Sequence, residues 1–461
     1  MVLQAAATAM AAGLDSVAFT LLLKPLVDLE IDSHLQHKPS QLVSRQLVRY
    51  VGVLYENGWQ PADLVHSVRR RWTVRAAKLI TSVIAVEAAA SRAAERAPQA
   101  WLEQLSALGA LDSGQETIKD DVPVDRPVYG PVDLRIDQPA DLFGDPQVGR
   151  RVTTSADGGV KNDVRRREAV VATWARQETL YADELLTISL GVLGQLMRSP
   201  KLSLLLIAPS KWGDSNKGVR PPAAMKSAAV DPKTLTLIRA LLAKAEGTNF
   251  EAEAEAFTAK AQDMMTRYSI DAAFVAASAD RQGPAAGIES RRIHIDSPYA
   301  DEKATFLAVV ADVNTVRAIW SPDIGFSTLM GFPVDVDLTE LLFTSLLVQA
   351  TRASAEATSV DRRLRTASFR RAFLVAFAGR IGERLRDAGQ HASAEAQERY
   401  GGALVPLLAA KADAVDGAYE QAFPDTQPMK RRNVDARGWH AGRAAADRAH
   451  IKTGEAIGRP N

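Results

Sequence analysis

The chain has 461 residues, enough for two or three domains, with 56 Lys and Arg against 55 Asp and Glu. So even a balance excludes a global field aimed at nucleic acid or a membrane and leaves only local basic surface for such a partner. The absence of cysteine excludes disulfides, thiolate nucleophiles, iron–sulfur clusters and cysteine-ligated zinc.

Met1 to Leu23 is apolar, but no Lys or Arg precedes it and Asp15 interrupts it. A signal peptide needs a positive start, and a spanning helix would bury Asp15 at about 3 kcal/mol. The segment reads as an Ala-rich amphipathic helix ending near Pro25, and the expected location is the cytoplasm. The whole of 1–110 reads as a helical region. Gln41 to Glu56 is helical up to the stop signal Asn57-Gly58, Pro61 sits in the first turn of the next helix, and Thr73 to Ala97 forms a longer one. Pro98 opens a further helix carrying Trp101, Leu102, Leu105 and Leu108.

Residues 111–165 are rich in Pro, Gly and Asp without sustained periodicity and read as a flexible linker. A helical segment at 166–200 carries Trp174, Leu180, Leu185, Ile188, Leu190, Val192 and Leu193, and a second linker at 201–230 contains Pro209, Pro221 and Pro222. The stretch 231–270 reads as a helical hairpin. Leu235, Ile238, Leu241 and Leu242 line one arm, and Ala254, Phe257, Ala261, Met264, Met265 and Tyr268 line the other. From 290 to 452 the order becomes β-α-β-β-α with helices behind it. Arg291 to Ile295 alternates as a strand, Tyr299 to Val313 is a helix, and Thr315 to Trp320 and Phe326 to Phe332 are strands. Asp335 or Asp337 caps a long helix through Leu341, Leu342, Leu346 and Leu347. Helices follow at Arg362 to Ala388, Ala403 to Phe423 and Val434 to Lys452. The predicted class is mainly α with a small α+β domain.

The run from Leu237 to Glu246, then Thr248-Asn249-Phe250, then Glu253 to Gln262 with Met265 and Tyr268, resembles the DUF2786 family. The region C-terminal to this hairpin looks like its partner domain, DUF7168, on Asp296 to Ala300, Asn314, Gly331-Phe332, Leu341 to Ala350 and Ser368 to Phe373. Gly58 to Leu64 is similar to an extension of actinobacterial members. The resemblance implies an architecture and supplies no activity, ligand or catalytic residue.

None of the seven histidines has a short metal-binding spacing, so no metal and no cofactor is expected. His34 and His37 lie beside Lys38-Pro39 and read as solvated loop residues. His294, with Asp296 two residues on, places an imidazole beside a carboxylate on one strand face, a pairing suited to acid–base work. Together with Tyr299 and Glu340 these residues form the candidate catalytic set of a hydrolase-like enzyme. Asp335, Asp337 and Glu340 crowd a helix start, where capping explains them without a metal. His440, between Gly438 and Gly442 and spaced toward Asp447 and His450, reads as part of a helix whose small residues admit a close neighbour.

Basic stretches carry the stronger hint. Arg69 to Arg75 with Lys78 surrounds Trp72, and Asp361 to Arg386 holds arginines at 362, 363, 365, 370, 371, 380, 384 and 386 around an apolar stripe. Arg70, Arg71, Arg75, Arg363, Arg370, Arg371 and Arg384 are the candidate binding residues, with phosphates as the chemistry they suit. The opposing reading pairs them with acidic faces of the same chain, such as the helix of Glu251, Glu253 and Glu255. The leading expectation is a non-catalytic interaction protein for nucleic acid, a ribonucleoprotein or an acidic protein, with no membrane partner. The alternative is the enzyme, which requires His294, Asp296, Tyr299 and Glu340 to converge on one pocket.

Overall fold

Prolines and tryptophans frame the first half of the chain. A computed structural model describes residue 7 and residues 17–32, 34, 37–111, 157–213, 232–247, 251–279, 287–424, 426 and 435–448. They fall into two units, Met1–Val219 and Arg220–Asn461.

In the first unit, α1 (Val17–Ile31), α2 (Pro39–Glu56), α3 (Pro61–Arg71), α4 (Val74–Ser91), α5 (Ala93–Arg96), α6 (Gln99–Ala107), α7 (Asp157–Gln177) and α8 (Ala182–Met197) follow in order. Pro39 and Pro61 open α2 and α3, where a missing N–H costs nothing, and the Thr73 hydroxyl accepts from Ala76 N at the start of α4. Val43, Leu47 and Val51 of α2 are buried, as are Leu79, Ile80 and Val83 of α4, Val171 and Trp174 of α7, and Leu186, Leu190 and Leu193 of α8.

Four expectations are corrected here. The first helix runs through Pro25, with Phe19 and Leu26 buried around it; that packing offsets the hydrogen bond proline lacks. The helix read as Thr73 to Ala97 breaks at Arg92, whose backbone is left-handed (φ 56°). The segment 166–200 is two helices, parted at Thr179 (φ 54°), and Asp183 and Glu184 favour the new N-terminus. Residues 157–165 are helix rather than linker, since extending an existing helix is far cheaper than nucleating one. The rest of the first linker, 112–156, lies outside the described residues.

The second linker also divides. Residues 201–213 are a packed strap and 214–231 lie outside the described residues. Leu202 N donates to Asn57 O at 2.9 Å, and Trp59 Nε1 donates to Pro200 O at 2.8 Å. Gly58 is required at this crossing. Its φ is +90°, and a Cβ there would lie 2.4 Å from Leu202 O. Trp212 is buried edge-on against Trp101, which itself meets Tyr55 edge-on.

The second unit is mainly α with a small three-stranded antiparallel sheet. Helices α9 (Pro232–Gly247) and α10 (Glu251–Ala279) pack together through Ile238, Leu242, Ala261 and Met265. Then come β1 (Glu289–His294), α11 (Ala300–Val313), β2 (Arg317–Ser321) and β3 (Phe326–Gly331). The sheet order is β1-β3-β2, with Arg291 opposite Leu329, His294 opposite Phe326 and Trp320 opposite Ser327. Helices α12 (Pro333–Val360), α13 (Ala367–Tyr400), α14 (Leu404–Ala422) and α15 (Ala436–Arg448) complete it.

The stripe Phe369, Phe373, Phe377, Ile381 and Leu385 of α13 is fully buried with Phe306, Leu307, Leu329 and Leu342. Gly438 and Gly442 let α15 lie directly on α13, because a Cβ at either would fall 2.4 Å from Phe369 O or 2.3 Å from Phe373 O. The N-cap of α12 is Phe332, with Pro333 opening the helix; Asp335 and Asp337 lie inside it and are engaged elsewhere. Among the described residues no helix is long and apolar enough to cross a membrane.

Candidate functional site

The four residues of the candidate catalytic set occupy different surroundings. Strand β1 ends at His294, so the alternation that would align Asp296 with it stops short, and Asp296 is exposed beyond the strand. Its carbonyl accepts from Lys303 Nζ at 2.9 Å, and burial holds the Lys303 ammonium below its usual pKa against the pull of Asp296. Tyr299 is the N-cap of α11 and packs against the apolar core. The His294 ring meets Phe326 edge-on, whereas Glu340 reaches Arg291 Nη1 at 3.1 Å. Arg291 and His294 are three apart on β1 and therefore point to opposite faces of the sheet. His294 and Glu340 do not share a pocket.

The carboxylates at the start of α12 divide as well. Asp337 and Glu340 face Arg291, which also holds Glu289 at 2.6 Å. Burial opposes the Arg291 charge, but Glu289 and Asp337 outweigh it and raise its pKa, while burial raises that of Glu289. Asp335, two residues before Asp337, turns away toward Lys411. Among the described residues no three His, Cys, Asp or Glu side chains gather as a metal-holding group.

Arginine burial sorts the candidate binding residues. Arg384 is buried and donates to the carbonyls of Ala446 and Asp447, capping the end of α15; it is a packing residue. Arg380 pairs with Asp447 and Glu383, Arg443 pairs with Glu383, and Arg386 lies 3.1 Å from Asp312. Hydrogen bonds from Arg443 and Arg380 hold the Glu383 carboxyl below its ordinary pKa. The acidic partners of the α13 arginines are thus on α11 and α15 and on α13 itself. Side chains of Glu251, Glu253 and Glu255 lie outside the described residues. Arg371 approaches the buried Glu302 at 3.7 Å.

What remains exposed is a corner between α12 and α13. Arg362 and Arg363 are exposed there, Arg370 is half-buried, and Arg365 is tied by its Nε to Thr358 O at 3.0 Å. Asp361 is occupied locally, accepting from Arg363 N at 2.9 Å. These cations stand beside the N-terminus of the 34-residue α13, capped by Thr366, so side chains and helix dipole add to one positive region. In the first unit Arg69, Arg70 and Arg71 form the exposed last turn of α3, while Arg75 lies 3.9 Å from both Glu178 and Glu184. Trp72, amid these cations, is not a stacking platform: its ring rests on Gly191 and its Nε1 donates to Gln195 Oε1 at 2.8 Å. His34, His37 and His440 are exposed; His450 lies outside the described residues.

Sequence reasoning missed a buried polar set. Lys411 of α14 lies 2.6 Å from Asp335 Oδ2, and both side chains are almost fully buried. Ser269 of α10 bridges them, donating to Asp335 Oδ1 at 2.6 Å and accepting from Lys411 Nζ at 2.7 Å. Three helices distant in sequence meet here, so no local spacing announces it. The lone signal was a lysine, Lys411, spaced to share a face of α14 with Leu404 and Val415. Lys411 and Ser269 open onto a cleft of about 390 Å³ between α10, α13, α14 and the turn after α11.

Residues 233–272, the α9–α10 hairpin, match the model of DUF2786, described as a protein of unknown function. That hairpin supplies one wall of the cleft, through Thr266, Ser269 and Ile270. No curated protein and no solved structure matches the chain.

Proposed function

We propose that the protein is a non-catalytic interaction protein that binds nucleic acid through the basic corner of its second unit, and that its α+β region is the DUF7168-type partner of the matched hairpin, in an actinobacterial-type chain. The reading keeps the cytoplasm as its place of action. The observation that carries it is the corner itself: Arg362, Arg363 and Arg370, beside the start of α13, stand apart from the ion pairs that occupy the rest of that helix. The hydrolase alternative has less support, because Glu340 is engaged by Arg291 while the His294 ring packs on Phe326.

Contacts of this kind neutralise phosphates, so affinity should fall with salt, with a log–log slope of about −3 for three or four phosphates. Fluorescence anisotropy of a labelled single-stranded RNA and a DNA duplex, at low and moderate salt, reads this directly. The Arg362→Glu/Arg363→Glu/Arg370→Glu variant should lose binding while keeping its helical circular dichroism. Arg371 is left intact because it faces the buried Glu302. Absence of binding at low salt, or unchanged binding in the variant, overturns the reading and turns attention to a ribonucleoprotein or an acidic protein partner.

A further inference from the structure

The cleft beside Lys411 lies outside the basic corner and has its own chemistry. Its walls carry the hydroxyls of Thr266, Ser269, Thr315 and Ser393, the Gln390 amide, and two cations, Arg386 and Lys411. No carboxylate is among the described residues that line it. The acids that hold the cations, Asp312 at 3.1 Å from Arg386 and Asp335 at 2.6 Å from Lys411, stand outside the lining. Each cation is therefore fixed in place by an acid that does not itself meet the contents of the cleft.

One further feature marks the wall of the cleft. Thr315, a β-branched residue, is held at φ 57° on the cleft wall, a left-handed conformation that costs about 1–2 kcal/mol without glycine.

We infer that this cleft binds a small hydroxylated phosphate ester, of about the size of a triose or pentose phosphate. Its volume of about 390 Å³ falls within the range of small-molecule sites. A phosphate presents acceptor oxygens to Lys411, Arg386 and nearby hydroxyl donors, while the ester's own hydroxyls match the Gln390 amide and Ser393. Thr266 is suited to donate, since its Oγ1 already accepts from Gln262 Nε2 at 3.3 Å.

Gly389 provides a clean test. It lines the cleft within α13, and a Cβ placed on it meets no atom within 4 Å. Gly389→Leu therefore adds bulk at the cleft wall without a clash at its Cβ and improves helix propensity, and its melting temperature checks that folding is preserved. Lys411→Met removes the main cation but endangers the fold, and serves only as a second variant. Isothermal titration of the full chain with glycerol 3-phosphate and ribose 5-phosphate, each up to about 20 mM, should show saturable binding. Glycerol and ribose should not bind. Gly389→Leu should weaken the phosphates by about tenfold or more with no fall in melting temperature. The inference is overturned by no saturable binding to folded wild type, by neutral sugars binding equally well, or by unchanged affinity in Gly389→Leu. Because Gly389→Leu leaves Arg362, Arg363 and Arg370 in place, failure here is separable from failure of nucleic-acid binding.

Discussion

The two units solve the same problem, packing helices without disulfides, by different means. The first is closed by aromatic side chains whose N–H groups end on backbone carbonyls: Trp59 on Pro200, Trp174 on Arg75 and Trp212 on Ile207. Each such bond contributes about 1 kcal/mol, but the indole that carries it buries far more apolar surface. The second unit is tied by charge and by glycine. Arg317 grips Asp416, Arg380 and Arg443 share Glu383, and α15 meets α13 backbone to backbone at Gly438 and Gly442. An indole-and-carbonyl frame is insensitive to salt, whereas a framework of surface ion pairs is screened by it.

The largest test of this contrast is Lys411→Met. Removing one member of a buried ion pair strands the other and costs about 3–5 kcal/mol. Hydrogen exchange read by mass spectrometry should show lost protection in α10, α12 and α14, and little change in α2 to α4. The double variant Lys411→Met/Asp335→Leu should recover most of the loss, and failure to do so would mean that Ser269 and not the ion pair organises the site.

In the first unit the sharpest exception is Glu87, buried in α4, whose pKa burial raises from 4.5 to about 7. Relative to the unfolded chain, the folded state holds its proton more tightly. The stability this provides is complete below about pH 4.5 and is lost as pH rises through about 7, to an extent of about 3 kcal/mol. Urea unfolding followed by tryptophan fluorescence at acid and alkaline pH should show that loss. Glu87→Gln should flatten it, and an equal slope in the variant would assign the effect to another group.

Gly442→Ala should cost about 2 kcal/mol, since the added methyl meets Phe373 O and must push α15 away from α13. Faster exchange confined to α15 and the facing turns of α13 is the expected signature. Smallest is Arg317→Gln: its pairs with Asp416 and Asp312 are exposed, and the loss should stay below about 1 kcal/mol and vanish at high salt.

Helix identity was readable wherever an apolar stripe met a strong punctuation residue, as at Asn57-Gly58, Pro61 and the α9–α10 hairpin. The sheet was readable too, because its strands are short, alternating or bounded by turns. Breaks at Arg92 and Thr179 were not, since neither residue prefers the left-handed backbone it adopts. Local spacing placed His294 beside Asp296 but gave no sign that β1 ends between them. Between Asp361 and Arg386 the sequence shows eight arginines, and tertiary structure decides which of them are occupied: Arg384 looks no different from Arg363 until α15 arrives on top of it. The Lys411, Ser269 and Asp335 set was illegible for the same reason.

The strap formed by residues 201–213 has a further consequence. It carries Leu202 and Trp212 back onto Asn57 and Trp101, so the polypeptide before residue 112 and the polypeptide after residue 156 each complete the other's apolar surface. Produced as separate chains, 1–111 and 157–219 should reassociate, and the affinity between them would measure the seam that the indoles, the strap and ion pairs such as Lys78 with Glu178 make together.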